Sequence, residues 1–263
     1  MADRVTETSD MTISSSGEHV PNEPERFFFA HVQKTAGTTL YRRLKRLLGS
    51  EAIYPNDTDG DTVTAVLVPD HLLERWRVRG DAIRVVTGHF PLCTKELLDG
   101  DFATFTVLRE PVARTLSYLR HHRKLTPEDR ERSFEAIYDD PLRFHGLIHN
   151  HMVKMFSLTR DEMTDGVLTR VDFSADRLEM AKERLAGVDV VGLQEHFDDF
   201  YDALSRRFGW HLGKPAHANR TEPSEVSEAL TSRIAEDNAL DVELYEFGRN
   251  LVGERASLDQ TSP

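Results

Sequence analysis

Three separated points of this chain carry residues that can act together on an anion. Lys34 lies in His31-Val32-Gln33-Lys34-Thr35-Ala36-Gly37-Thr38-Thr39-Leu40. That loop follows the apolar run Phe27-Phe28-Phe29 and opens a segment with Leu40, Leu44 and Leu47 on one helical face. A loop entering a helix offers free backbone N–H groups and the positive end of the helix dipole to an oxyanion. Ala36 and Gly37 let the backbone approach closely, Thr35, Thr38 and Thr39 supply hydroxyls, and Lys34 adds a mobile charge. Arg109 opens a second passage of this kind, Arg109-Glu110-Pro111, with Pro111 suited to a first helical turn. Ser117 follows eight residues on, about two turns away. Arg109 and Ser117 are therefore candidates for holding a second phosphate. Arg114 reads either as a ligand contact or as a structural ion-pair partner. His89 follows Val85-Val86-Thr87-Gly88. An imidazole, with an ordinary pKa of about 6.5, suits a general base, though a histidine hydrogen-bonded at a strand end would look the same.

Several chemistries fit less well. In a Walker A loop the lysine follows the glycines, whereas Lys34 precedes Gly37. The run Thr106-Val107-Leu108-Arg109 ends in a cation where a magnesium-binding acid would be expected. The site reads as metal-free, with a kinase or NTPase, or a non-catalytic nucleotide-binding protein, as the alternatives. His145 and His149 have i, i+4 spacing, but no third ligand or H-E-x-x-H pattern accompanies them. Cys93, the single cysteine, reads as a small packed residue and allows no internal disulfide, which suits a reducing cytosol.

The elements that must position these residues alternate. Strands are expected at Phe27–Val32, Thr62–Val68, Ile83–Thr87, Phe102–Leu108 and Val188–Leu193. Helices are expected after Gly37, over Asp70–Arg77, from Pro111, over Glu128–Tyr138 and Pro141–Phe156, and over Ala175–Leu185 and Phe197–Phe208. Leu240, Leu244, Phe247 and Leu251 form a last helical stripe. Alternating strands and helices predict an α/β fold with a mostly parallel sheet flanked by helices. Ligands bind such sheets at the carboxyl ends of the strands, where Lys34, His89 and Arg109 all fall. The expected organisation is an acidic, disordered leader over residues 1–25, one domain over 26–253 and a flexible tail over 254–263.

The net charge of -12 is uneven. The segments 1–26 and 222–263 are acidic, and the body between them is close to neutral. Within that body Lys34–Leu48 holds five bases and no acid, and Phe102–Lys124 five bases against Glu110. Local positive charge in an acidic chain points to an anion site and away from a nucleic-acid face. No apolar run reaches the ~20 residues a membrane span requires, so no span is expected.

The two anion segments resemble those of sulfotransferases that use 3′-phosphoadenosine 5′-phosphosulfate (PAPS). The likeness is to the family that includes the heparan sulfate 2-O-sulfotransferases and many bacterial members. Its 5′-phosphosulfate loop, roughly H-[VI]-P-K-[TC]-[AG]-[GS]-[TS]-[TS], is matched by His31–Thr39, with Gln33 in place of the usual proline. Its 3′-phosphate segment, R-[DE]-P-x-x-R-x-x-S, is matched by Arg109–Ser117. Val191-Gly192-Leu193-Gln194-Glu195-His196-Phe197 resembles a later strand-to-helix segment, and Asn219-Arg220-Thr221-Glu222-Pro223 the C-terminal loop. The resemblance implies a P-loop-like three-layer fold, with Lys34 bridging the 5′-phosphate and the sulfuryl group. It also implies Arg109 and Ser117 on the 3′-phosphate, Arg220 closing over the nucleotide, and no metal requirement. Relatives carry a Gly-His at Gly88-His89, some with a second histidine two residues earlier, where this chain has Thr87. The near-neutral body favours a small-molecule or carbohydrate acceptor over a long polyanion. The expected setting is a soluble, cytoplasmic, bacterial enzyme.

Overall fold

The computed structural model describes residues 26–213 and 226–261. The leader expected over 1–25, Arg220 and its loop lie outside the described residues. Four consecutive buried apolar positions, Phe27-Phe28-Phe29-Ala30, suit only a strand covered on both faces. They form β1 (Phe27–Ala30), the central strand of a five-stranded sheet. The others are β2 (Ile53–Tyr54), β3 (Val85–Val86), β4 (Ala103–Leu108) and β5 (Val190–Leu193). The order is β2-β3-β1-β4-β5 and every pairing is parallel. Phe27 pairs with Val85 on one side and Ala103 on the other, which brings the carboxyl ends of β3, β1 and β4 side by side.

The helices are α1 (Gly37–Leu48), α2 (Thr62–Leu67), α3 (Pro69–Arg79), α4 (Pro111–Leu125), α5 (Phe134–Tyr138) and α6 (Pro141–Arg143). After them come α7 (His151–Ser157), α8 (Ala175–Ala186), α9 (Phe197–Phe208), α10 (Glu228–Asp237) and α11 (Ala239–Thr261). Alternate strand residues face opposite layers. Phe27, Phe29, Phe105 and Val107 pack with Leu40 and Leu44 of α1 and Phe200 and Leu204 of α9. Phe28 and Ala30 join the opposite core, with Trp76 of α3, Phe156 of α7, Leu185 of α8 and Leu244 of α11. The result is a mostly parallel central sheet between two helical layers.

Three local expectations change. Residues 62–68, expected as a strand, form α2: the Asp61 carboxylate accepts from Thr64 N at 2.8 Å and starts a helix that buries only Ala65. The edge beyond β3 is formed instead by β2, too short for its alternation to be read. The helical stretch expected over 128–156 is broken. Ser133 and Asp140 cap new starts, a π-turn spans Phe144–Ile148, and Asn150 takes a left-handed φ of 42°. At the C-terminus α11 continues to Thr261, through most of the segment expected as a tail, and Arg255 donates to the carbonyls of Ala186 and Val188.

Candidate active site

The strand order carries Lys34, His89 and Arg109 to one edge of the sheet, because they leave the adjacent strands β1, β3 and β4. The loop between β1 and α1 is wound tightly. Lys34 and Ala36 have φ of 70° and 68°, left-handed values that cost a non-glycine residue about 1–3 kcal/mol. Backbone turned this way directs successive N–H groups into an anion-binding concavity. No side chain caps α1. At α4 the Glu110 carboxylate accepts from Val112 N at 2.9 Å and Ala113 N at 2.6 Å. Of the two helix starts, only that of α1 lacks a side-chain cap; there Thr39 N donates to Ala36 O at 3.1 Å, which leaves the N–H groups before it for an anion. Glu110→Ala should leave α4 uncapped and cost about 1 kcal/mol, read as a shift of the urea midpoint at unchanged slope.

Arg109 braces this loop: its Nη1 donates to the Lys34 carbonyl at 3.0 Å, and its buried Nε has no partner. An unpaired buried guanidinium N–H is costly, which makes it a ready donor to a phosphate oxygen. Burial and the Arg109 charge bring the Lys34 ammonium down to about 8. The loop hydroxyls divide. Thr35 is buried and donates its hydroxyl to Val32 O at 2.8 Å, so its contribution to an anion falls to its backbone. Thr39 is half-buried and Thr38 exposed at the first turn. Gln33, in the usual proline position, is buried. Ser117 is half-buried two turns into α4.

A second histidine is present, though not at Thr87. The ring of His31, from the end of β1, lies 4.3 Å from that of His89. The His89 Nδ1–H donates to His31 O at 3.1 Å. A carbonyl only accepts, so this bond places the proton on Nδ1 and leaves the Nε2 lone pair available. Burial is the main cause that lowers His89 to about 4, with Lys34 and His121 adding to it and the His31 carbonyl opposing. His31 is held well below its usual value by burial, then by His89 and Lys34. His121 on α4 is also lowered, by burial and then by Lys34. The sequence signal for His31 was its place at the head of the loop, but its partner stands 58 residues away.

Other polar side chains have structural partners. Arg114 is fully buried and donates to Ile148 O at 2.9 Å and Leu147 O at 3.2 Å, which resolves its two readings towards structure. Lys154 is buried with Nζ on the carbonyls of Gly146 and His145. Asn150 is tied to Asn238 and Asp241. His149 stacks on Phe144 at 5.1 Å. Among the described residues no cluster of His, Cys, Asp or Glu could hold a metal ion. Cys93 lies 4.0 Å from the Met163 sulfur, and burial pushes its thiol up to about 12. A cavity of about 960 Å³ between β5, α9 and α11, lined by Val191, Phe200, Arg206 and Val252 among others, includes none of Lys34, His89 or Arg109. No described helix is long and apolar enough to cross a membrane.

A parallel α/β sheet with an uncapped helix start and a lysine at its carboxyl edge suits an anionic ligand. Residues 20–248 match the model of the Sulfotransferase family, so the chain belongs to that family. The group containing the heparan sulfate 2-O-sulfotransferases is consistent with this membership. Among solved structures the chain is similar to a sulfotransferase from Alicyclobacillus acidocaldarius. The two share 16% identity over 84% of this chain and 94% of that one, with a TM-score of 0.49. No curated protein matches the chain.

Proposed function

We propose that this sulfotransferase takes its sulfuryl group from PAPS and passes it to a hydroxyl, or less readily an amine, of a small-molecule or carbohydrate acceptor. The observation that carries the reading is the uncapped start of α1, flanked by Lys34 and by the unpaired Nε of Arg109. These donors fit a phosphosulfate anion. Lys34, the backbone from Thr35 to Gly37, and Thr38 and Thr39 would hold the 5′ end. Arg109 and Ser117 would hold the 3′-phosphate, with Arg220 over the nucleotide.

When bound, PAPS supplies a sulfur electrophile whose bond to the 5′-phosphate oxygen breaks as the acceptor oxygen bonds to sulfur, releasing adenosine 3′,5′-bisphosphate (PAP). His89 Nε2 takes the proton that the acceptor hydroxyl loses. Lys34 and the α1 N–H groups stabilise the charge gathering on the departing phosphate, as preorganised donors do in phosphoryl transfer. The transfer needs no metal in this reading, because cations from the chain occupy the place of a metal-binding acid. The lone, buried Cys93 supports a cytoplasmic setting.

Calorimetric titration with PAP in the absence of magnesium tests the donor. Micromolar binding is expected, with ATP much weaker. Lys34→Ala should weaken PAP about 10–100-fold, the worth of one hydrogen bond to a charged group. Absence of PAP binding, or preference for ATP only with magnesium, would reject the reading in favour of a kinase or NTPase.

A further inference from the structure

We propose that His31 is a second catalytic histidine: its Nε2–H donates to the transferring sulfuryl group at the open start of α1, while His89 takes the acceptor's proton. The inference rests on the PAPS reading above and adds a residue to it.

The His31 ring is located from three directions. It stacks on Phe29 at 4.7 Å and 11° between planes. It tilts against His89 at 4.3 Å and 43°. It also fills the space beside Gly37: a Cβ there would lie 1.9 Å from His31 Nε2 and 2.2 Å from Cε1. Helical Cα–Cβ bonds lean towards the helix N-terminus. A nitrogen standing where the Cβ of the first helical residue would be is therefore at the first turn of α1, whose N–H groups no side chain caps. This gives Gly37 a reason different from the one its sequence suggests. The missing side chain makes room for the edge of an imidazole, and that edge carries a nitrogen.

The two histidines divide the chemistry because their surroundings differ. His89 gives its Nδ1–H to the His31 carbonyl and keeps a bare Nε2. Burial, and then the nearby His89 and Lys34, disfavour a positive charge on the His31 ring. It stays neutral and offers one N–H. No proton leaves His31 during transfer. Its donor faces the oxygens of the sulfuryl group, which are absent from PAP, and this difference makes the role measurable without any acceptor.

The test compares PAP and PAPS by calorimetry on wild type, His31→Phe and His31→Gln. Phenylalanine keeps a ring against Phe29 and removes the donor; glutamine keeps a donor. His31→Phe should bind PAP within about twofold of wild type and lose about 10-fold in PAPS affinity. His31→Gln should recover part of that loss. The rate at which PAPS is converted to PAP with water as acceptor should fall about 10–10²-fold in His31→Phe, the scale of one preorganised donor. An unchanged PAPS-to-PAP affinity ratio in His31→Phe would overturn the proposal, and so would an equal loss of both ligands, the mark of a wedge alone. If His31→Phe does not fold, His31→Ala answers with the same ratio. Wild type that binds PAP while the ratio stays flat removes only the His31 role; wild type that does not bind PAP removes the donor reading and this inference together.

Discussion

Substituting His89 by alanine should lower turnover by about 10²–10⁴-fold and leave PAP affinity close to wild type. The reason is geometric. The imidazole is aimed by its Nδ1–H on the His31 carbonyl, and it leaves β3 one strand away from the loop that carries Lys34. None of the proposed nucleotide contacts passes through it. The measurement is kcat with an acceptor returned by a PAPS screen, beside a PAP titration; a loss of turnover below tenfold would end its role as base. The pH profile supplies an independent check. A base must be deprotonated, and His89 titrates at about 4, so kcat/KM should fall only as the pH drops through that value. Lys34 must be charged, and it titrates at about 8, so kcat/KM should fall again as the pH rises through that value. A bell with limbs near these two values is expected, because kcat/KM reports the free enzyme. Lys34→Arg should remove the alkaline limb, since a guanidinium stays charged.

Asp241→Ala should destabilise the fold by about 3–5 kcal/mol, a large part of the 5–15 kcal/mol that holds a typical domain together. The Asp241 carboxylate is fully buried and accepts from Val153 N at 2.8 Å and Met152 N at 3.0 Å. It is also the favourable charge acting on buried Arg114 and Lys154. Burial pushes Asp241 up to about 6 and Lys154 down to about 7, so desolvation outweighs attraction for both groups. The cluster is a poor source of net stability, yet removing Asp241 leaves two buried cations with carbonyl partners but no counter-charge, and two backbone N–H groups without an acceptor. Urea denaturation measures the loss. Asp241→Asn keeps one acceptor oxygen and should cost less; an alanine variant as stable as wild type would show the cluster to be dispensable.

The site was legible where its signals are local. The buried run at Phe27, the glycine after Lys34 and the proline after Arg109 each mark a strand running into a helix within about ten residues. Local rules also misled at 62–68, where Val63, Thr64 and Val66 read as a strand until Asp61 is seen to cap a helix. Arg114 lay open between two roles because its pattern suits both. Its burial, which depends on the carbonyls of Leu147 and Ile148, chose between them.

By itself the sequence determined the α/β class, the two strand-to-helix segments proposed to hold anions, and the placing of Lys34, His89 and Arg109 at strand ends. Each follows from apolar runs and helix starts that neighbouring residues specify. Only the tertiary structure decided that the strands bearing them are adjacent and that the second histidine beside His89 is His31. Those outcomes depend on how parallel strands separated by long crossovers are ordered in the sheet. Contacts across such crossovers leave no periodicity in the chain.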